Sequence, residues 1–202
     1  MGCSKRIAEV YAQCANQQGS TRFITTRFGN VLGSNGSVIP LFKKQIANGG
    51  PVTLTDPNIT RFFMTITEAC QLVLDAAAMG KGGEIFVFDM GESVKIYDLA
   101  KKMIKLSGLE LDKDIKIKIT GLRPGEKLYE ELLTNEENTI PTHHPQILIA
   151  KVRMYDFEEI SRSISDLTAL FQSQNNEVIV QQMKDIVPEF KSNNSVFEKL
   201  DK

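Results

Sequence analysis

The sequence predicts an α/β protein, and three features of the residue pattern indicate this class. Segments with apolar residues at helical spacing alternate along the chain with short runs rich in β-branched and aromatic residues. Glycine, asparagine and proline separate most of these segments, as expected for turns. The predicted strands are short and several loops are long, which favours the substrate-binding end of such a fold over its regular nucleotide-binding end.

The first half of the chain predicts three helices separated by extended segments. A helix is expected over residues 4–18, because apolar residues recur at helical spacing and Gly19 follows. Ser37 can cap a second helix and Thr67 a third one. The inward positions of the third helix are expected to be Leu72, Val73, Ala76 and Ala77. The extended segments expected between the helices are residues 22–27, 52–54 and 62–66.

The second half of the chain continues the alternation. A helix over residues 96–106 is expected to end at Gly108, and isoleucine and lysine alternate over 115–119 as in an edge strand. Further strands are expected at 84–88 and 146–150, and further helices at 126–133, 157–171 and 176–186. These elements divide the chain into a main domain (1–150), C-terminal helices (151–187) and a flexible tail (188–202).

The composition is that of an ordinary globular protein and excludes several classes. The chain has 24 basic and 25 acidic residues, so its net charge of -1 implies no strong field for nucleic acid or anionic membranes. No apolar run approaches the length of a membrane span. Cys3, Cys14 and Cys70 are scattered, which fits a reducing cytoplasmic environment, and Cys70 is expected in the core.

A glycine-rich loop leads from a predicted strand into a predicted helix. Free backbone N–H groups at such a position can bind phosphate. The spacing of Gly29, Gly33 and Gly36 is G-x-x-x-G-x-x-G, whereas the dinucleotide fingerprint is G-x-G-x-x-G. A turn that needs glycine only for its backbone geometry is therefore the alternative.

Two further motifs contain candidate anion ligands. Arg61 precedes two phenylalanines and can bind an anion, or form only a surface ion pair. Arg123 and Glu126 flank a Pro-Gly turn, where arginine suits a diphosphate and glutamate suits sugar hydroxyls. From the residues alone, a capping role for Glu126 at a helix N-terminus is favoured.

The sequence predicts no metal site. His143 and His144 are adjacent, so in an extended segment their side chains point to opposite faces. No Cys, Asp or Glu cluster joins them at ligand spacing, and no nucleophile–histidine set for covalent catalysis is recognisable.

Four separated stretches together resemble one known family. They are MGCSKRIAE, RFGNVLGSNGSVIPLF, TRFFMTITEAC and GLRPGEKLYEELL, in this order. They are similar to the CapD/FlaA1-type polysaccharide biosynthesis proteins, nucleotide-sugar 4,6-dehydratases of the extended short-chain dehydrogenase/reductase (SDR) class. The resemblance covers roughly residues 1–135. It implies a Rossmann-type fold, and a cytoplasmic protein whose longer forms attach to the inner membrane.

The resemblance assigns Lys5 to the catalytic Tyr-x-x-x-Lys pair of the class. Lys5 would bind the nicotinamide ribose and hold positive charge near the reacting centre, and Phe28 would lie near the nicotinamide. Met1 falls on the tyrosine position, and a thioether cannot exchange a proton as a general base. The implied cofactor of the complete enzyme is NAD or NADP.

The same resemblance implies a UDP-sugar cleft. Its lining residues would be Asn30 and the segment from Gly33 through Ser37 to Val38. Arg61 and Arg123 would contact the diphosphate or uridine, and Glu126 the uridine ribose.

The resemblance also implies a dinucleotide loop, an acid that binds the adenosine ribose and an Asp-Lys pair for acid-base chemistry, all of which the family places upstream of the stretch that residues 1–135 match. The expectation is therefore a C-terminal portion of the SDR fold that contains the substrate-binding subdomain and lacks the N-terminal dinucleotide-binding half. Such a chain would bind the cofactor poorly, be inactive alone, and associate with itself or with an N-terminal half. A non-catalytic UDP-sugar-binding or self-assembling remnant and a UDP-sugar 4-epimerase stay open as alternatives.

Overall fold

The computed structural model of the protein describes residues 1–130 and 138–201. The helices are α1 Gly2–Ala15, α2 Val38–Ala47, α3 Ile66–Met79, α4 Ile96–Leu106, α5 Phe157–Leu170 and α6 Asn176–Ile186. The strands are β1 Thr25–Arg27, β2 Asn30–Val31, β3 Val52–Leu54, β4 Thr60–Arg61, β5 Phe63–Met64, β6 Ile85–Phe88, β7 Val94–Lys95, β8 Ile117–Ile119, β9 Asn138–Pro141 and β10 Ile147–Lys151. Short 3₁₀ turns occur at Phe171–Ser173 and Val196–Leu200.

The chain forms two compact units that alternate along the sequence. Unit 1 comprises Met1–Arg27, Val73–Phe88 and Leu133–Lys202. Unit 2 comprises Phe28–Leu72 and Asp89–Leu132. The sequence led us to expect boundaries at residues 150 and 187, whereas each of these two units combines segments that are far apart in the sequence.

Unit 1 is built on a sheet with the strand order β1-β6-β10-β9. Strand β1 is parallel to β6, and β10 is antiparallel to both β6 and β9. All four residues of β6 are buried, which fits a strand inside a sheet that is covered on both faces.

The helices of unit 1 form a second core beside this sheet. Helix α1 packs against α5 and α6, because its apolar residues recur on one face. The buried members of this core are Cys3, Ile7, Val10, Cys14, Ile160, Leu167, Ile186 and Val187.

Unit 2 contains three two-stranded sheets, in which β2 pairs with β5, β3 with β8, and β4 with β7. Its core lies between helices α2 and α4 and strand β3. The buried members are Phe42, Ile46, Val52, Leu54, Ile59, Ile96, Ala100, Ile104 and Ile115.

Most of the expected elements are confirmed, and the differences have physical reasons. Helix α3 is capped by Thr65 rather than Thr67: the Glu68 backbone N–H donates to Thr65 Oγ1, and Thr65 N–H donates to the Glu68 carboxylate. Only a narrow face of α3 is buried. Val73 and Ala77, which were expected to point inward, are therefore exposed.

Two other expectations fail within the described residues. Residues 126–130 are not helical, and the rest of the expected helix lies outside the described residues. Cys70, expected in the core, lies on the exposed side of α3.

The segment after α6 is held to that helix. The buried ammonium of Lys184 donates to the carbonyl of Phe190 at 3.2 Å and to the carboxylate of Asp201. The Asp201 carboxylate also accepts from Ser192 N–H at 3.1 Å. The segment expected as a tail, 188–202, therefore has specific contacts over its described residues.

Candidate nucleotide-sugar site

A cavity of about 230 Å³ opens in unit 2 between helix α2, strand β3 and the loop that follows β8. Most of the expected substrate-binding residues line it: Asn30, Ser37, Val38, Arg61, Arg123 and Glu126. Gly33 is exposed and does not line it. The remaining lining residues are Gly36, Leu41, Phe42, Thr53, Leu54, Thr55, Ile59, Phe63, Ile96 and Thr120.

One wall of the cavity is the N-terminus of α2. Ser37 occupies the N-cap position with an extended backbone, yet its side chain caps no N–H group. Ser37 Oγ is buried and has no hydrogen-bond partner among the residues that the structure describes. A buried hydroxyl without a partner beside a helix N-terminus is suited to a ligand that supplies an anionic or polar atom.

The glycine loop before α2 uses its glycines for different reasons. A Cβ atom at Gly29 would lie 2.9 Å from Phe62 Cβ, so glycine allows strands β2 and β5 to approach each other. Gly33 and Gly36 have φ near +75° with open space around them. They therefore serve the turn, which agrees with the alternative interpretation of this loop.

Arg61 is half-buried, and its guanidinium is surrounded by acceptors. Nη1 donates to the carbonyl of Thr60 at 2.7 Å and to that of Leu128 at 3.2 Å, and Nη2 donates to the carbonyl of Lys127 at 3.0 Å. The carboxylate of Glu126 lies 3.8 Å away. Arg61 therefore holds the loop at residues 127–128 against β4 and contributes a positive charge that this carboxylate partly balances.

Arg123 and Glu126 face the cavity from a turn, not from a helix. Glu126 accepts hydrogen bonds from Thr55 Oγ1 at 2.9 Å and from Arg123 N–H at 3.0 Å. The side chain of Arg123 is exposed. The helix-capping interpretation of Glu126 does not apply, because residues 126–130 form no helix.

Glu130 is a member of this cluster that sequence reasoning did not single out. Its carboxylate accepts from Asn30 Nδ2 at 3.0 Å and from Phe62 N–H at 3.1 Å. It also lies 4.0 Å from Arg61 Nε. The only signal available was its place in the GLRPGEKLYEELL stretch, since nothing in the residue pattern indicates that it meets Asn30.

The residues expected at the cofactor lie in different units. Lys5 is on the exposed side of α1 in unit 1, one turn after the exposed Met1. Phe28 is half-buried in unit 2. The lysine can donate to ribose hydroxyls, which fits the expected role, and a shared nicotinamide site remains a prediction.

Unit 1 has an open groove of about 550 Å³ between the end of α1 and strand β10. None of the expected site residues lines it. Two of its polar side chains are engaged within the protein: Gln13 Nε2 donates to the carbonyl of Gly83, and Glu84 accepts from the N–H groups of Lys81 and Gly82.

The buried thiols of Cys3 and Cys14 are poorly suited to act as nucleophiles. Burial raises the pKa of Cys3 to about 11, so this thiol stays protonated near neutral pH. Burial also raises the pKa of Cys14. Within residues 1–130 and 138–201, no three His, Cys, Asp or Glu side chains come together as a metal site would require.

In the part of the chain that the structure describes, no helix has both the length and the hydropathy needed to cross a bilayer.

Comparisons with known proteins place this site in context. Residues 1–152 match the family described as "Polysaccharide biosynthesis protein". The capsular polysaccharide biosynthesis protein CapD of Staphylococcus aureus is 53% identical over 175 residues, which are 86% of this chain and 29% of that protein. A UDP-glucose 4-epimerase of Rickettsia akari is 41% identical over 142 residues, 68% of this chain and 40% of the epimerase.

A solved structure is also similar to this chain over most of the chain's length. The X-ray structure of Pen from Bacillus thuringiensis has a TM-score of 0.65 and 36% identity, over 82% of this chain and 57% of that one. The chain thus spans between 29% and 57% of the length of these three proteins. From its sequence and its mixed α/β architecture, the chain belongs to the polysaccharide biosynthesis protein family and contains part of the Rossmann-type fold of extended SDR proteins.

Proposed function

We propose that this chain is the substrate-binding portion of a nucleotide-sugar 4,6-dehydratase that converts a UDP-N-acetylhexosamine to a 4-keto-6-deoxy sugar for surface polysaccharide synthesis. The observation that carries the proposal is the cavity of unit 2, where Arg61, Arg123 and Glu126 meet the N-terminus of α2. The relatives' roles in polysaccharide synthesis support the same substrate class.

Each part of a nucleotide sugar has a suitable partner in this cavity. The exposed guanidinium of Arg123 can pair with the diphosphate, because its planar donors match phosphate oxygens. The hydroxyl of Ser37, which has no hydrogen-bond partner among the described residues, and the first N–H groups of α2 add donors for an anion. Glu126 can accept from ribose hydroxyls, while Arg61 holds the loop that carries it.

The cofactor is proposed to be NAD or NADP, which would accept a hydride from C4 of the sugar and return it at C6. Lys5 fits a role beside this group, because its exposed ammonium can donate to ribose hydroxyls. No dinucleotide loop of G-x-G-x-x-G spacing occurs in the 202 residues, so residues 1–202 by themselves are expected to bind NAD weakly and to lack turnover.

The Met1 position and the GLRPGEKLYEELL stretch favour the dehydratase over the 4-epimerase. Met1 lies one turn before Lys5 and is 92% exposed, but its thioether cannot give or take a proton. The acid and base that act on C5 and C6 are therefore expected to be residues other than Met1. Lys5 is proposed to supply positive charge near the reacting centre.

The partners follow from the edges of unit 1. On the side away from β6, strand β1 pairs with no other strand among the described residues, although parallel strands are usually enclosed in a sheet. Val73 and Leu74 of α3 are exposed, Leu74 by 64%. We propose that a dinucleotide-binding segment or a second copy of the chain covers these surfaces.

Isothermal titration calorimetry tests the binding function. UDP and UDP-N-acetylglucosamine are expected to bind, and NAD⁺ is not expected to bind tightly. Arg123→Ala should weaken UDP binding by about tenfold or more, since a hydrogen-bonded charge pair is lost. Lys43→Ala, an exposed cation of α2 that does not line the cavity, is the matched control. Tight NAD⁺ binding, or equal loss in both variants, would contradict the proposal.

A UDP-sugar 4-epimerase is the second candidate, and the 41% identity to the Rickettsia akari protein favours it. The two reactions differ in product. When the chain is completed with a dinucleotide-binding segment and NAD⁺, the dehydratase yields a 4-keto sugar with alkaline absorbance, whereas the epimerase only inverts C4. Inversion without keto product would replace the dehydratase proposal.

A further inference from the structure

Next to the unit 2 cavity, the carboxylate of Glu130 accepts several hydrogen bonds. Asn30 Nδ2 lies 3.0 Å from Glu130 Oε1 and 3.1 Å from Oε2. The backbone N–H of Phe62 donates to the same Oε2 at 3.1 Å. One oxygen of Glu130 therefore accepts both from the side chain of Asn30 in β2 and from the backbone of Phe62, which lies between β4 and β5.

Glu130 does not line the cavity, but Asn30 does. The backbone of Asn30 is fixed independently, because Asn30 N–H donates to the carbonyl of Phe62 at 3.0 Å as part of the β2–β5 pairing. Glu130 therefore controls the side chain of Asn30 rather than the position of its strand.

The hydrogen-bonding capacity of the Asn30 amide decides what it can offer a ligand. Its nitrogen has two N–H donors. They are directed to the Phe62 carbonyl at 3.1 Å and to the Glu130 carboxylate. The amide oxygen Oδ1 accepts from no residue of 1–130 or 138–201 in the hydrogen bonds of the structure.

The opposite orientation of the amide is unfavourable. A flip would place Oδ1 against the Phe62 carbonyl oxygen and the Glu130 carboxylate, so that three acceptors would face one another without a proton between them. The Glu130 carboxylate thus determines that Nδ2 of Asn30, and not Oδ1, forms the hydrogen bonds within the protein.

We propose that Glu130 is a positioning residue that fixes the orientation of the Asn30 amide, so that Asn30 presents an acceptor to the cavity and selects a donor group of the bound sugar. The donor is a hydroxyl or an amide N–H, not a phosphoryl oxygen, which has no proton to give. The ligand part of this inference rests on the proposed nucleotide-sugar function, whereas the orientation of Asn30 does not.

The charge of Glu130 is less important here than its acceptor oxygen. The distance from its carboxylate to Arg61 Nε is 4.0 Å, and both side chains are partly exposed, so this ion pair contributes little. The carbonyl oxygen of glutamine can replace Oε2, which serves both Asn30 and Phe62, when the amide nitrogen at the Oε1 position turns away from Asn30 Nδ2. Glu130→Gln should therefore keep the orientation, and Glu130→Ala should lose it.

The first test does not involve a ligand. In ¹⁵N–¹H spectra, the Asn30 side-chain signals are identified by their disappearance in Asn30→Asp. Their protons should exchange slowly in the wild type and in Glu130→Gln, and about tenfold or more faster in Glu130→Ala, because the acceptor of the side-chain hydrogen bond is lost. Glu92→Ala, an exposed carboxylate of unit 2, is the control and should change nothing. Unchanged exchange in Glu130→Ala would overturn the proposal.

The second test compares two ligands that differ only in the sugar. Glu130→Ala should weaken UDP-N-acetylglucosamine binding by about fivefold, the order of one hydrogen bond, and leave UDP binding within about twofold. In the Asn30→Ala background the same substitution should have no further effect on the sugar-bearing ligand. An equal loss for both ligands would overturn the selection of a donor group. If the wild type binds neither ligand, the proposed function fails, and the exchange experiment still decides the role of Glu130.

Discussion

Arg27 of strand β1 and Glu9 of helix α1 form a two-pronged ion pair inside unit 1. Arg27 Nε donates to Glu9 Oε2 at 2.6 Å and Nη2 donates to Oε1 at 2.5 Å. Arg6 also donates to Glu9, and its Nε donates to Glu189 at 3.1 Å. A carboxylate that is only 8% exposed is thus compensated by two guanidinium groups.

We expect Glu9→Ala to lower the free energy of unfolding by about 3 kcal/mol, because two partly buried guanidinium groups lose the carboxylate that they share. Urea denaturation followed by circular dichroism measures the change. Lys81→Ala, an exposed residue of the same unit, should change stability by less than about 0.5 kcal/mol. A double variant, Glu9→Met with Arg27→Met, should be more stable than Glu9→Met alone; if it is not, the ion pair does not explain the loss.

We expect Gly29→Ala to destabilise the protein by about 1–3 kcal/mol, because the added methyl would lie 2.9 Å from Phe62 Cβ and 3.1 Å from the Phe62 carbonyl oxygen. Thermal unfolding monitors the effect. Gly19→Ala is the matched control, since no atom lies within 4 Å of a Cβ there. Equal melting temperatures for the two variants would show that β2 and β5 tolerate a wider separation.

We expect Cys70 to react with iodoacetamide well before Cys3 and Cys14. Cys70 is exposed, whereas burial raises the pKa of Cys3 to about 11 and also raises that of Cys14, so few thiolates form at pH 8. Mass spectrometry of the labelled peptides over time measures the order. Cys70→Ser should remove the fast phase. Rapid labelling of Cys3 in the folded protein would contradict the buried position of its thiol.

We expect stability to fall in acid partly through Asp201. The hydrogen bond from Lys184 lowers the pKa of Asp201 in the folded protein. A lowered folded pKa means that this contribution is present above the unfolded value, near pH 4, and is lost as the pH falls through the folded value. Denaturation curves between pH 6 and pH 2 should show a smaller loss in Asp201→Asn than in the wild type. Parallel profiles would mean that the Lys184 contact adds no stability.

Local rules predicted the elements whose residues carry their own signals. Helix α4 ends as expected before Gly108, which has φ of +75°. Strand β6 and helices α5 and α6 also lie where periodicity places them. By contrast, β9 contains asparagine and proline and has a weak strand signal, so it forms only through its pairing with β10.

The site was predicted as a set of residues but not as a set of contacts. The residues of the motifs gather around one cavity, although Gly33 does not join them. The helix expected from Glu126 onward fails over residues 126–130, where the carbonyls of Lys127 and Leu128 accept from the side chain of Arg61. Such a tertiary contact, like the meeting of Glu130 with Asn30, depends on residues far apart in sequence and leaves no local pattern.

The alternation of the two units also imposes an order on synthesis. All segments of unit 2 precede residue 133, whereas unit 1 needs segments up to the end of the chain. On the ribosome, unit 2 can therefore assemble first, while the apolar stripe of α1 waits for α5 and α6 to emerge. During that interval Ile7 and Val10 are exposed on the nascent chain, where a chaperone can bind them. Slower translation after residue 132 would prolong this exposure.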